Sequence, residues 1–196
     1  MVSVAEKVKL TMTKIESVEL ILRPLQESDA EGAYPRWLND KEVCKYNSHG
    51  DVEYTRDKAR EYIARVNSSK TDQVFAVIHK DDQVHIGNIS LQQISDRDHS
   101  AEFAILFGEK AYYNRGYSKI ASRLLLEYGF STLELHRIYC GTSAYNIPMQ
   151  KLANDLGMRE EGRRVEAFLK NGEYVDIIEY GILARDFLGG NHEHAN

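Results

Sequence analysis

The chain has little with which to cross-link itself. Only two of its 196 residues are cysteine, Cys44 and Cys140, far apart along the sequence. That pair excludes a disulfide framework and a cysteine zinc site and fits a reducing compartment. Basic runs are absent too. Lys and Arg number 25 against 30 Asp and Glu, a net charge of −5, which argues against nucleic acid or an anionic membrane as the main partner. No apolar stretch approaches the length of a membrane span. Met1 to Glu16 mixes Lys7, Lys9 and Lys14 with Val and Thr, without the apolar run of a signal peptide, so the expected location is the cytoplasm. There is no internal repeat and no low-complexity segment.

What is present is ordinary globular material: 42% hydrophobic, 28% charged and 10% aromatic residues. The length suits one domain. Residues 1–17 read as a mobile arm, 18–188 as the domain and 189–196 as a frayed tail. His192-Glu193-His194 in that tail lacks the rigid geometry of a metal site, so no metal is expected.

Periodicity sets the elements. Val18 to Arg23 alternates as a strand that Pro24 ends, and Ser28 or Asp29 caps a short helix running to about Trp37. An irregular stretch, Asn39 to Gly50, follows. Ala59, Tyr62, Ile63 and Val66 mark a helix. Three strands come next: Val74 to His79, Val84 to Ile94 and Ala101 to Phe107, the last nearly all apolar and so central. Ala121, Leu124, Leu125 and Tyr128 mark a helix starting near Gly116. Arg137 to Cys140 is a short strand. Met149, Leu152, Ala153 and Leu156 mark a helix closed by Gly157. Val165 to Lys170 and Glu173 to Ala184 form a hairpin around Asn171-Gly172. The order is β-α-α-β-β-β-α-β-α-β-β, an α/β fold with a mixed sheet. Consecutive strands pair antiparallel, and one parallel pair joins Ala101–Phe107 to Arg137–Cys140.

The segment Tyr113-Asn-Arg-Gly-Tyr-Ser-Lys119 carries the most chemistry. It joins a buried strand to an amphipathic helix. Gly116 and Asn114 tolerate left-handed backbone. The following helix offers unpaired N–H groups and a positive dipole end, and Arg115 and Lys119 add charge. Such a loop cradles a pyrophosphate, but an ordinary connection with two solvated cations reads the same way.

Tyr113 to Ala121 resembles the acyl-CoA-binding loop of the GNAT N-acetyltransferases, most of all the branch with the ribosomal-protein alanine N-acetyltransferases. The likeness runs from Leu20 to Phe187. It is carried by Leu22-Arg-Pro24, Trp37-Leu-Asn-Asp40, Ala101-Glu102, Leu135-His-Arg137, Asn146, Leu156-Gly-Met158, Glu161-Gly162 and Asn171-Gly172. It implies a GNAT fold and transfer of acetyl from acetyl-CoA to a primary amine, by direct attack in a ternary complex. The pyrophosphate would lie on the backbone of Asn114, Arg115, Gly116, Tyr117 and Ser118, with Lys119 beside it. The pantetheine would run along Ile105, Leu106 and Phe107, and Asn146 would touch the cofactor or cap its helix. Glu102 is the candidate general base, or else a solvated strand residue; His85 and His99 are alternatives.

The chain departs from the family at four places. Asn114 replaces a frequent Gly, and Ser118 a Gly or Ala. Ala153 stands where many members have an acidic Tyr, and Met149 where the ribosomal branch often has Ser. Tyr145 is the substitute candidate for the acid. The acceptor pocket is expected to draw on Trp37, Asn39, Tyr46, Asn47, His49 and Tyr174, with Trp37 equally at home in the core. Glu161, Glu166, Glu173, Asp176 and Glu179 could attract a cationic amine or face solvent. Expected acceptors are a protein N-terminus or a small amine, an amino sugar or polyamine. A CoA-binding sensor without turnover is the alternative, and a homodimer is plausible through an edge strand.

Overall fold

The computed structural model describes residues 14–50 and 52–189. Its frame is an eight-stranded sheet with β1 at Ile15–Glu16, β2 at Leu20–Pro24, β3 at Gln73–His79, β4 at Val84–Ser95, β5 at Ser100–Phe107, β6 at Arg137–Ser143, β7 at Arg159–Lys170 and β8 at Glu173–Leu183. The spatial order is β1-β2-β3-β4-β5-β6-β8-β7. All neighbours run antiparallel except β5 and β6, as the sequence pattern requires.

Among the described residues five helices cover the sheet: α1 Tyr34–Asn39, α2 Arg56–Ser68, α3 Tyr117–Ser131, α4 Ile147–Asp155 and α5 Ala184–Gly189. On one face α3 and α4 pack on Phe75, Ile89, Leu91, Phe103, Ile138 and Ile178. On the other, α1 and α2 bury Trp37, Leu38, Ile63 and Val66 against Val74, Ala76 and Ile78. Each such side chain contributes roughly 1.5–3 kcal/mol of burial. The alternation along β3 feeds both layers, which explains why all seven of its residues are buried.

Several boundaries differ from the sequence expectation, and β6 runs on to Ser143 rather than ending at Cys140. The helix expected to reach Trp37 breaks into a 3-10 turn, Glu27–Glu31, and α1. Pro35 in the first turn of α1 has no N–H to give, and its ring crowds the carbonyl four residues back. Lys14 to Ser17, assigned to the arm, includes β1, paired through Ile15–Leu22 and Glu16–Ile21; residues 1–13 lie outside the described residues. β7 begins at Arg159, six residues before the apolar pattern does, because cross-strand ion pairs rather than alternation hold its first half. The last strand stops at Leu183, where α5 seats Phe187 against Phe130 at 5.3 Å. Residues 190–196, including His192 and His194, lie outside the described residues.

Candidate active site

β5 and β6 are paired over three positions only: Ser100 with Arg137, Ala101 with Ile138 and Glu102 with Tyr139. β5 then continues against β4 as far as Phe107 with Gly87. β6 continues against β8 as far as Ser143 with Ile177. The two central strands therefore part after Glu102 and Tyr139. The β5 edge from Phe103 to Phe107 faces a wedge-shaped gap in mid-sheet. Backbone groups without a ladder partner seek one, and an extended ligand can supply it as an added strand. Ile105, Leu106 and Phe107 all lie half-buried along this edge.

The β5 chain leaves the gap through Gly108 into a 3-10 turn, Lys110–Tyr112, and reaches α3 through Tyr113–Gly116. Asn114 has φ 59° and Gly116 φ 83°. Left-handed residues close together let successive N–H groups gather around an anion. α3 is 15 residues long and has no acidic residue in its first turn, so its positive end is uncompensated from within. A Cβ built on Gly116 meets nothing within 4 Å, which leaves room for a phosphate. Arg115 lies over the Tyr112 ring at 5.5 Å. Lys119 is 3.9 Å from Asp155, and the Ser118 carbonyl accepts from the Ser122 hydroxyl at 2.7 Å. Tyr113 donates to the Phe107 carbonyl at 2.8 Å, tying the loop to the end of the strand. Asn146 caps α4, its side chain accepting from the Met149 N–H at 3.2 Å.

Glu102 is the last paired residue before the strands part. Its neighbours Ala101 and Phe103 point into the α3 layer, so Glu102 faces the α1–α2 side with Leu106. Its half-buried carboxylate accepts from the neutral Gln93 side-chain amide. Tyr139, beside it in register, was not singled out by the sequence; only the register reveals it. Burial, then the nearby Glu102 and Glu179 charges, hold its hydroxyl above the ordinary tyrosine range. Cys140 behind them is buried, and its thiol is pushed up to about 12 by burial and by the Glu179 and Glu102 charges. A thiol so held is no nucleophile at neutral pH.

The remaining candidates are dispersed. Tyr145 is 63% exposed, two residues past the end of β6 and at the opposite end of the gap from Glu102. Ala153 and Met149, where the family places an acid, pack in the α3 layer. His85 is half-buried under α1, its imidazole held down by desolvation despite Asp29. His99 sits in the β4–β5 turn, away from the gap. Trp37 is core: it is 4% exposed, and its ring lies 2.0 Å from where a Cβ on Gly108 would stand. Asn39 is spent on structure, donating to the carbonyls of Pro35 and Tyr54 at 3.0 and 2.8 Å and accepting from the Tyr54 N–H at 2.7 Å. Tyr46 is half-buried under Lys45 at 5.0 Å, and Tyr174 is exposed on the hairpin.

Three of the five carboxylates near the last strands are matched by arginine. Arg137 holds Glu161 through two bonds, Arg163 meets Asp176 at 3.0 Å and Arg164 meets Glu179 at 2.5 Å. The hairpin also reaches the α1–α2 connection: Lys170 Nζ donates to the His49 carbonyl at 2.8 Å. Among the described residues no group of three His, Cys, Asp or Glu is placed to hold a metal, and no helix is long and apolar enough to cross a membrane.

Parted central strands, a left-handed loop and an uncompensated helix start are a CoA-binding geometry, and a family model described as "Acetyltransferase (GNAT) domain" matches residues 19–159. The chain belongs to the GNAT acetyltransferases. It is 30% identical over 173 residues to the uncharacterized N-acetyltransferase YnaD of Bacillus subtilis, covering 88% of this chain and 98% of that one. Its fold matches spermidine N-acetyltransferase from Vibrio cholerae, solved with CoA and spermine, with TM-score 0.80 and 26% identity, covering 88% and 99% of the two chains. A GNAT acetyltransferase from Bacillus anthracis matches with TM-score 0.77 and 26% identity over 88% and 99%. This GNAT is an enzyme that transfers acetyl from acetyl-CoA to an amine.

Proposed function

We propose that the acceptor is a small primary amine, and that it meets acetyl-CoA at Glu102. The observation that carries this reading is the Lys170–His49 contact at 2.8 Å, which ties the hairpin tip to the α1–α2 connection. With the acceptor placed between these two segments, such a tie admits a small molecule and obstructs a peptide chain. The relatives named spermidine N-acetyltransferase, one solved with CoA and spermine, make polyamines the first compounds to try.

The chemistry then runs in one complex. Acetyl-CoA lies with its pyrophosphate on Asn114 to Ser118 and its pantetheine along Ile105 to Phe107. Only a neutral amine attacks, so Glu102 takes the ammonium proton. The nitrogen adds to the thioester carbonyl carbon, and backbone N–H groups of β5 stabilise the oxyanion. Collapse breaks the C–S bond. The attacking nitrogen sheds its second proton to water, and the thiolate takes its proton from water, since Ala153 and Met149 offer none and Tyr145 lies at the other end of the gap. Cys140 is buried with its sulfur 3.8 Å from that of Met158, which favours this direct route over an acetyl-enzyme. Two buried free cysteines fit the reducing cytoplasm, and the exposed edge strand β7 is the surface on which a homodimer would form.

The test is release of free thiol from acetyl-CoA with spermidine, an amino sugar or a short peptide with a free N-terminus. Small amines are expected to turn over at least about tenfold faster than the peptide, and Lys170→Ala to narrow that ratio. A peptide that outruns every small amine would overturn the reading.

A further inference from the structure

We propose that His79 is a positioning residue for the acyl-CoA pyrophosphate, acting through Tyr117. The inference rests on the assignment of the 112–118 loop as the pyrophosphate seat. His79 is the last residue of β3, and it is 8% exposed. Its Nε2 lies 3.0 Å from the Tyr117 hydroxyl. Tyr117 is the first residue of α3, directly after the left-handed Gly116. On its other side, His79 Nδ1 is 3.0 Å from Asp82 Oδ2, although out of line for a hydrogen bond. The same oxygen accepts from the Tyr112 hydroxyl at 2.6 Å. The rings are mutually packed, with His79 5.2 Å from Tyr112 and 5.0 Å from Tyr117.

Tyr112 and Tyr117 are the two ends of the loop. The four residues between them include both left-handed positions, Asn114 and Gly116. Such a segment has several accessible shapes unless its ends are fixed. One imidazole and one carboxylate, carried on β3 and the β3–β4 turn, hold both ends from beneath. The anchor touches neither the gap nor Glu102. It therefore sets the shape of the anion cradle and leaves the acetyl transfer step alone.

This predicts a selective defect. In His79→Phe the ring remains and both nitrogens are lost. KM for acetyl-CoA is expected to rise on the order of five- to tenfold, as for one lost hydrogen bond, with kcat and the amine KM within twofold. Tyr117→Phe removes the same contact from the other side, so the double variant should be no worse than either single one. His79→Gln, whose amide can still meet the Tyr117 hydroxyl, should recover part of the loss. With S-acetylpantetheine, which lacks the pyrophosphate, wild type and His79→Phe should show equal kcat/KM. Binding of CoA followed by calorimetry reads the same effect without turnover. Wild type that fails to bind CoA would remove the loop assignment and this inference together. Wild-type CoA binding with an unchanged Kd in His79→Phe would overturn the inference alone, as would equal losses with acetyl-CoA and S-acetylpantetheine.

Discussion

The two arms of the parted sheet are built differently. The β5 arm ends in a loop distinguished by its backbone geometry: two left-handed residues, a helix start and an unpaired strand edge. The β6–β8–β7 arm carries its character in side chains, with arginines set against carboxylates on neighbouring strands and a hairpin reaching back to the α1–α2 connection. A site made of backbone would tolerate Asn114 for glycine and Ser118 for glycine or alanine, because it would need no side chain there. A side-chain wall changes its charge with each substitution. Under the proposed function, the first arm holds the common co-substrate and the second selects among acceptors.

Three substitutions test that division. The largest effect is expected at the vertex between the arms. Glu102→Gln should lower kcat by about 10²–10⁴, the usual range for loss of a general base, while KM for acetyl-CoA stays within about twofold. Unchanged turnover would remove Glu102 from the chemistry. Next comes Gly108→Ala at the exit of the β5 arm, where the new methyl would meet the Trp37 ring at 2.0 Å. A destabilisation of about 3 kcal/mol is expected, which lowers the thermal midpoint by roughly 6–12 °C; a midpoint within about 2 °C of wild type would show that Trp37 can move aside. The smallest is Arg164→Ala on the opposite arm. Its exposed pair with Glu179 contributes at most about 1 kcal/mol, so stability should barely change. The freed carboxylate should instead tighten a cationic amine modestly, an effect that fades with salt. A weakened amine KM would mean that Arg164 itself meets the acceptor.

The same division decided what the sequence could tell. The left-handed turn into α3 was legible because Asn114 and Gly116 sit together in the chain. The mixed sheet followed from local apolar periodicity. Tyr139 was not legible, since its place beside Glu102 depends on a three-residue parallel register. The first half of β7 was missed because Arg159 to Arg164 shows no apolar alternation. The carboxylates of the last strands looked like a cation trap, for their arginine partners lie 13 to 24 positions away. Trp37 and Asn39 were drawn into the acceptor site by their neighbourhood in the chain, whereas packing on Gly108 and bonds to Tyr54 occupy them.

Trp37 is the chain's single tryptophan, and its indole meets the His85 imidazole edge-on at 4.9 Å. The molecule thus carries an internal optical reporter at the point where β5 turns into the loop. Emission from this shielded indole should be blue-shifted, and a protonated imidazole in contact quenches it. Burial holds His85 below the ordinary histidine range, so the light should stay bright through neutrality and dim only as the solution becomes distinctly acidic. A rearrangement of the strand exit when acyl-CoA arrives would register in the same signal, without any label.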